Sequence, residues 1–313
     1  MPRPMLRRTL GHPTRVALLV LLAALSAGSH AAPAPASAPA AVAGATPVWD
    51  RANLVAWCIV PYDAKKRDAP ARAAMLQKLQ LRRLAYDWRA EHVPHFDAEV
   101  VAMQRAGIEF TAWWFPQKLD ATAQKILEVI ARHGIRPQLW VTGGGALTKT
   151  DAEHAARLDT EAARLQPIVA AAAKLGCTVG LYNHGGWFGT PENQLALLAR
   201  LRRDGATNVG LVYNFHHGHD DLARFAELWP RLAPHTLAVN INGMKRGADK
   251  SGEKILTVGA GDEELGLLRI IDASGWRGAV GILNHRTEVD AEVGLAGNLA
   301  GLDRLVAQLR AAR

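Results

Sequence analysis

From residue 54 to the C-terminus the sequence repeats one theme eight times: a short apolar run that ends in polar or aromatic residues, followed by a more polar stretch. The runs are 54-LVAWCIV-60, 83-RLAYDW-88, 108-IEFTAWW-114, 138-QLWVT-142, 178-TVGLYN-183, 208-NVGLVYN-214, 236-TLAVNI-241 and 279-AVGILN-284. Near-continuous apolar runs of this length belong to strands covered on both faces, because a solvated face would impose polar alternation. Between them, apolar residues recur at three- and four-residue spacing, as in Met75, Leu76 and Leu79, in Ile126, Leu127 and Ile130, in Leu197, Leu198 and Leu201, in Leu222, Phe225 and Leu228, and in Leu267, Leu268 and Ile271. A last set, Leu302, Leu305, Val306 and Leu309, closes the chain. That is the period of a helix with one buried face. Strands alternating with helices predict parallel pairing through helical crossovers, and eight units predict an α/β fold of one (β/α)8 barrel over 51–313. An open doubly wound sheet is the competing arrangement, but no Gly-rich phosphate turn follows the first run.

The first fifty residues follow another pattern. Arg3, Arg7, Arg8 and Arg15 lead into 16-VALLVLLAALSAG-28, and small residues follow at Ser29 and Ala31. This reads as a secretory signal peptide over 1–31, cleaved after Ala31, which predicts a periplasmic or secreted protein. The apolar run falls short of the roughly 20 residues a spanning helix needs, so no stable membrane insertion is expected after cleavage, and an uncleaved anchor is the alternative reading. Residues 32–50 form a Pro/Ala-rich tether. Losing the four leader arginines lowers the formal charge from +8 to +4. With no Lys/Arg block interleaved with aromatics, nucleic acid is not an expected partner. Cys58 and Cys177 sit in apolar runs far apart in the chain, and read as buried free thiols rather than a disulfide.

A (β/α)8 barrel places its active site at the C-terminal ends of its strands. Those ends carry Trp57, Asp87-Trp88-Arg89, Trp113-Trp114-Phe115, Trp140, Tyr182-Asn183-His184, Tyr213-Asn214-Phe215-His216-His217, Asn240 with Asn242, and Asn284-His285-Arg286, whereas the strand starts carry nothing comparable. A core holding that many unsatisfied polar groups would be very costly, so the collection points to a site. Within 182-YNHGGW-187, Gly185 and Gly186 let the backbone turn, Asn183 and His184 are expected to face the ligand, and Thr190-Pro191 starts the next helix.

The succession 179-VGLYNHGG-186, 190-TPENQLALL-198, 209-VGLVYNFHHGH-219 and 257-TVGAGDEELGLLRIIDASGWRGAVGI-282 resembles the xylose isomerase-like barrels of the sugar phosphate isomerase/epimerase family. The resemblance implies proton-transfer chemistry on a sugar. It also implies a divalent metal held by Glu, Asp, His and Glu at the ends of the fifth to eighth strands, with the two Glu moving protons. In this chain those positions fall on Tyr182, Asn214, Asn240 and Leu283 or Asn284. A phenol and neutral amides are poor ligands for a hard divalent ion, so the expectation is no cofactor. The related endonuclease IV-type reading fails for want of the same acidic and imidazole set.

The catalytic candidates are His184, His216, His217, His285 and Asp87. The histidines read in three ways: as a relocated transition-metal site, as metal-free acid/base groups, or as hydrogen-bonding loop residues. Asp87 and Arg89 read either as site charges or as a buried pair. The substrate-binding candidates are Arg89, Trp113, Trp114, Tyr182, Asn183, Trp187, Asn214, Asn240, Asn242 and Asn284, because flat indoles stack on sugar C–H faces and amides both donate to and accept from hydroxyls. Together these predict an exported protein that isomerises, epimerises or eliminates on a neutral sugar or glycoside derivative. A non-catalytic carbohydrate-binding barrel is the alternative.

Overall fold

The strands β1 (Leu54–Trp57), β2 (Arg83–Tyr86), β3 (Glu109–Phe115), β4 (Gln138–Val141), β5 (Thr178–Tyr182), β6 (Val209–Asn214), β7 (Thr236–Ile241) and β8 (Ala279–Leu283) lie in the eight predicted runs, β3 extending one residue past its run. All pair in parallel in chain order, and β8 returns to pair with β1, with Trp57 opposite Leu283. The ring is closed, which removes the open-sheet alternative. This computed structural model describes residues 47–311; the expected signal peptide (1–31) and residues 32–46 of the expected tether lie outside the described residues.

Helices occur where the apolar spacing places them, at Ala69–Lys78, Ala121–His133, Pro191–Arg203, Phe225–Leu232, Glu264–Ala273 and Ala291–Ala311. Two more, Phe96–Arg105 and Asp151–Lys174, complete the outer ring. The second buries Ala162 and Ala172 beside Leu165, Ile168 and Val169. Alanines carry little periodic hydrophobic signal, which is why spacing alone passes over it. Several helices are started by side-chain caps: Asp68 accepts from the Ala71 N–H and Asp120 from the Ala123 N–H, each at 2.9 Å.

Period-two alternation divides the strand residues between two cores. Outward residues such as Leu54, Leu84, Trp113, Leu181 and Tyr213 pack beneath the helices in the main core. Inward residues form a separate interior cluster, in which Trp57, Trp140, Tyr182 and Leu283 are accommodated by small partners at Ala85, Ala112, Ala238 and Ala279. A Cβ at Gly180 would lie 2.6 Å from Val212 Cγ2 and 2.9 Å from Trp140 Cδ1, so glycine there makes room for the indole.

The packed unit reaches back into the last residues of the expected tether. Val48 is buried, the Asn53 amide donates to its carbonyl, and Trp49 Nε1 donates to Asp272 Oδ1 at 3.1 Å. Cys58 and Cys177 are both free and buried. Among the described residues no helix is long and apolar enough to cross a membrane.

Candidate active site at the barrel mouth

A cavity of about 500 Å³ opens at the C-terminal ends of the strands. Of the predicted site residues, Asp87, Arg89, Trp114, Tyr182, His184, Asn214, His216, His217 and His285 line it.

Its floor is a neutral hydrogen-bond hub. The Tyr182 hydroxyl accepts from Trp57 Nε1 at 3.1 Å, from Asn214 Nδ2, and more distantly from Asn240 Nδ2 at 3.5 Å. The Asn214 amide is held in that orientation because its Oδ1 accepts the His216 N–H at 3.1 Å. Asn183 clamps the same strand end: its Oδ1 accepts the Asn214 N–H at 2.7 Å and its Nδ2 donates to the Asn214 carbonyl at 3.2 Å. Burial raises the Tyr182 pKa, so the phenol stays protonated. The four positions where the resemblance implies metal ligands therefore hold a phenol, two amides engaged with it, and Leu283, which lines the cavity in preference to Asn284. That donor set has no anionic oxygen and does not fit a divalent ion. Among the described residues no group of three or more His, Cys, Asp or Glu is arranged to hold a metal ion.

Above the hub stands a chain of imidazoles. Ring centroids are 4.4 Å apart for His184 and His217, 4.3 Å for His216 and His217, and 5.5 Å for His216 and His285. Burial, reinforced by mutual repulsion, lowers His216 and His217 to about 4 and about 2. His285 falls to about 4 through burial and the nearby Arg89, and burial also lowers His184. All four are neutral near pH 7, so each keeps a ring nitrogen free to accept a hydrogen bond, and the burial that keeps them neutral also weakens His216, His217 and His285 as bases. Two non-glycine residues here adopt positive φ, Cys58 at 54° and His285 at 45°, and the His285 N–H donates to the Cys58 carbonyl at 3.1 Å. Such conformations concentrate at functional sites because surrounding structure must hold them.

Asp87 occupies the other wall. Its Oδ1 accepts the Ile59 and Val60 N–H groups at 3.3 and 3.2 Å, while Oδ2 makes no regular hydrogen bond; the buried Cys58 thiol neighbours the carboxyl. Burial outweighs the backbone donors and Arg89, and raises its pKa to about 7. In a ring of eight strands β2 and β6 are diametrically placed, so this carboxyl stands across the cavity from His216 and His217. At the rim, Arg89 donates to the Tyr62 hydroxyl at 2.8 Å, and the Tyr62 ring lies 4.0 Å from His285.

Six predicted contacts do not line the cavity. Trp113 points outward and packs edge-to-face on Tyr86 and Phe96, with centroids at 5.2 and 5.1 Å. Trp187 is fully buried with Arg157 5.6 Å from its ring. Asn183 is spent on its backbone clamp, and Asn240 lies beside the hub without lining the cavity. Asn242 donates to the Gly243 and Lys254 carbonyls, and Asn284 donates to the Tyr62 carbonyl at 2.7 Å. Adjacent strand residues face opposite ways, so in each of Trp113-Trp114, Tyr182-Asn183 and Leu283-Asn284 only one member looks in. In three strands a small residue stands two positions before the inward member, Ala112 for Trp114, Gly180 for Tyr182 and Gly281 for Leu283, whereas Trp57, Trp140 and Asn214 follow Val55, Gln138 and Val212. Cys58, Tyr62, Gln117 and Thr142 also line the cavity, and the strand-end pattern does not point to them as site residues. The turn is as expected, with Gly185 and Gly186 at φ 79° and 62°; a Cβ on Gly186 would lie 2.7 Å from the Gly145 carbonyl oxygen.

No family model matches the chain, and no curated protein matches it in sequence. Solved structures do match in shape. The apo form of 3-keto-D-glucoside 4-epimerase, YcjR, from E. coli aligns with a TM-score of 0.60 at 14% identity over 83% of this chain and 99% of that one. A xylose isomerase domain protein from Alicyclobacillus acidocaldarius gives 0.57 at 21% identity over 83% and 99%. The IOLI protein with a binding zinc atom gives 0.62 at 14% identity over 82% and 99%. With the eight-strand closure and the strand-end cavity, these likenesses establish that the chain has the fold of the xylose isomerase-like (β/α)8 barrels.

Proposed function

We propose that the protein binds a neutral sugar or glycoside derivative at the barrel mouth and moves a proton on it without a metal, as an isomerase, epimerase or lyase. The observation that carries this reading is the two-walled arrangement of proton carriers, neutral His184 and His217 on one side and Asp87 on the other. A neutral imidazole takes the proton from a carbon next to a carbonyl, leaving an enediolate. Return of a proton from the same wall isomerises, and return from the Asp87 carboxyl inverts. Trp114 offers a half-buried ring face, while Arg89 and Asn214 offer polar contacts. The barrel neighbours include proteins described as sugar epimerases, which supports the substrate class. The leader supports export to the periplasm or beyond, with a small carbohydrate rather than nucleic acid as partner.

The test combines tryptophan fluorescence with NMR in D2O across a panel of neutral sugars and glycosides. Solvent deuterium entering a carbon-bound position supports the enzyme. Fluorescence change with no exchange or product supports a carbohydrate-binding barrel, the reading favoured by the closed neutral hub where metal ligands would stand. An unresponsive panel, with an acidic or nucleotide ligand binding instead, would overturn the carbohydrate assignment.

A further inference from the structure

The hub does more than fill the place of a metal. We propose that the Tyr182 hydroxyl is the electrophile of the site, donating its proton in a hydrogen bond to the substrate oxygen that becomes negatively charged. The inference rests on the proton-transfer reading above.

A phenol oxygen has two lone pairs and one proton. Trp57 Nε1 can only donate, and the Asn214 amide presents its NH2 because its oxygen is engaged by His216. These two donors take both lone pairs. The third amide, Asn240, also turns its NH2 toward the hydroxyl, at 3.5 Å, and so offers no acceptor. The Tyr182 proton is thereby left for the cavity that the residue lines. Donors feeding an oxygen polarise its O–H bond, and a buried environment with few competing waters strengthens the effect. The rings of His184 and His217 stand 6.5 and 6.2 Å from the Tyr182 ring, so the bases and the donor face one small volume.

The step balances without any further reagent. The imidazole gains the proton from carbon, the C–H electron pair forms the new C=C bond, and the carbonyl π pair moves onto oxygen. The tyrosine keeps its proton while its hydrogen bond to that oxygen shortens and strengthens. A divalent ion would serve such an oxygen by charge; here a fixed, neutral donor serves it by orientation.

The probes are D-fructose and D-tagatose, ketoses whose carbonyl is flanked by exchangeable C–H groups. Deuterium entry at C1 and C3 is followed by NMR, and binding by tryptophan fluorescence. For Tyr182→Phe the exchange rate is expected to fall ~100–1,000-fold, the usual effect of removing one such donor, with less than about tenfold change in Kd. Trp57→Phe, which keeps the phenol but frees a lone pair, is expected to lose about tenfold in rate by the same argument, and stands in if the first variant does not fold. Tyr182→3-fluorotyrosine, a stronger donor of nearly the same shape, is expected to hold the wild-type rate or exceed it. Wild-type exchange that persists in Tyr182→Phe overturns the electrophile and leaves the proposed function standing. Absence of exchange in the wild type with both ketoses overturns this inference together with the ketose-enolising form of that function.

Discussion

The indole N–H of Trp57 donates to the Tyr182 hydroxyl at 3.1 Å, joining the end of β1 to the end of β5 straight across the barrel. The bond ties opposite walls through the interior aromatic cluster, where the Trp57 and Trp140 rings meet edge-on at 4.8 Å. It places a neutral, fully protonated group at the centre of the mouth, and the chemistry proposed above is organised around it.

Removing that hydroxyl leaves two buried donors, Trp57 Nε1 and Asn214 Nδ2, without their acceptor. Tyr182→Phe is expected to lose about 1–3 kcal/mol of stability, the cost of unsatisfied buried partners. Urea denaturation with an unchanged m-value measures it.

Trp113 and Trp114 should behave as opposites although they are neighbours in the chain. Trp113 is completely buried among Tyr86, Phe96 and Phe110 outside the sheet, so Trp113→Ala is expected to cost about 3–5 kcal/mol of stability. Trp114 is half-buried on the cavity wall, and Trp114→Ala is expected to weaken sugar binding by about 1–2 kcal/mol with a smaller change in stability. Denaturation midpoints and fluorescence-independent calorimetry on the two variants decide the matter.

The imidazole cluster sets an acid limit. Folded-state pKa values of about 4 for His216 and His285 and about 2 for His217 lie below the unfolded value near 6.5. The unfolded chain then binds more protons between those limits, so stability contributed by the neutral cluster is present above pH 6.5 and is lost as pH falls, down to about 4 for His216 and His285 and on toward about 2 for His217. Asp87 acts in the opposite direction: its pKa of about 7 exceeds the unfolded value, so its contribution is lost as pH rises from about 4 to 7. A His216→Gln/His217→Gln protein should therefore show a flatter acid limb, and Asp87→Asn should gain stability relative to wild type above pH 7. Denaturation midpoints collected from pH 4 to 8 give both slopes, and equal slopes in all three proteins would contradict the assignment.

His184→Ala and His217→Ala are each expected to lower kcat by on the order of 10²–10⁴-fold, with little change in melting temperature. Turnover unchanged in both would remove the imidazoles from the mechanism and leave the binding reading.

Purified protein is expected to carry less than about one equivalent of any transition metal, since neutral oxygens and amides at Tyr182, Asn214 and Asn240 do not compensate a cation's lost hydration. Elemental analysis and activity after chelation test this; stoichiometric zinc or manganese at the mouth would contradict it.

The chain's own order of residues determined the barrel. Eight apolar runs alternating with polar or amphipathic stretches leave parallel strands and covering helices as the economical way to bury both faces, and the crowding of Trp, Asn and His after the strands announced where a site would lie. Local periodicity is enough for this, because each helix pairs its own backbone, each strand pairs with the strands on either side of it, and each element presents its own apolar face. What only the tertiary structure decided was which of two adjacent candidates looks inward, and what each meets there. Trp114 reaches the cavity while Trp113 packs under helices; Tyr182 enters the hub while Asn183 is consumed in holding Asn214. The pleat reverses direction at every residue, so a one-residue change in register exchanges cavity for core. The pairing of Trp57 with Tyr182, 125 residues apart, exists only because the ring closes and brings β1 and β5 face to face.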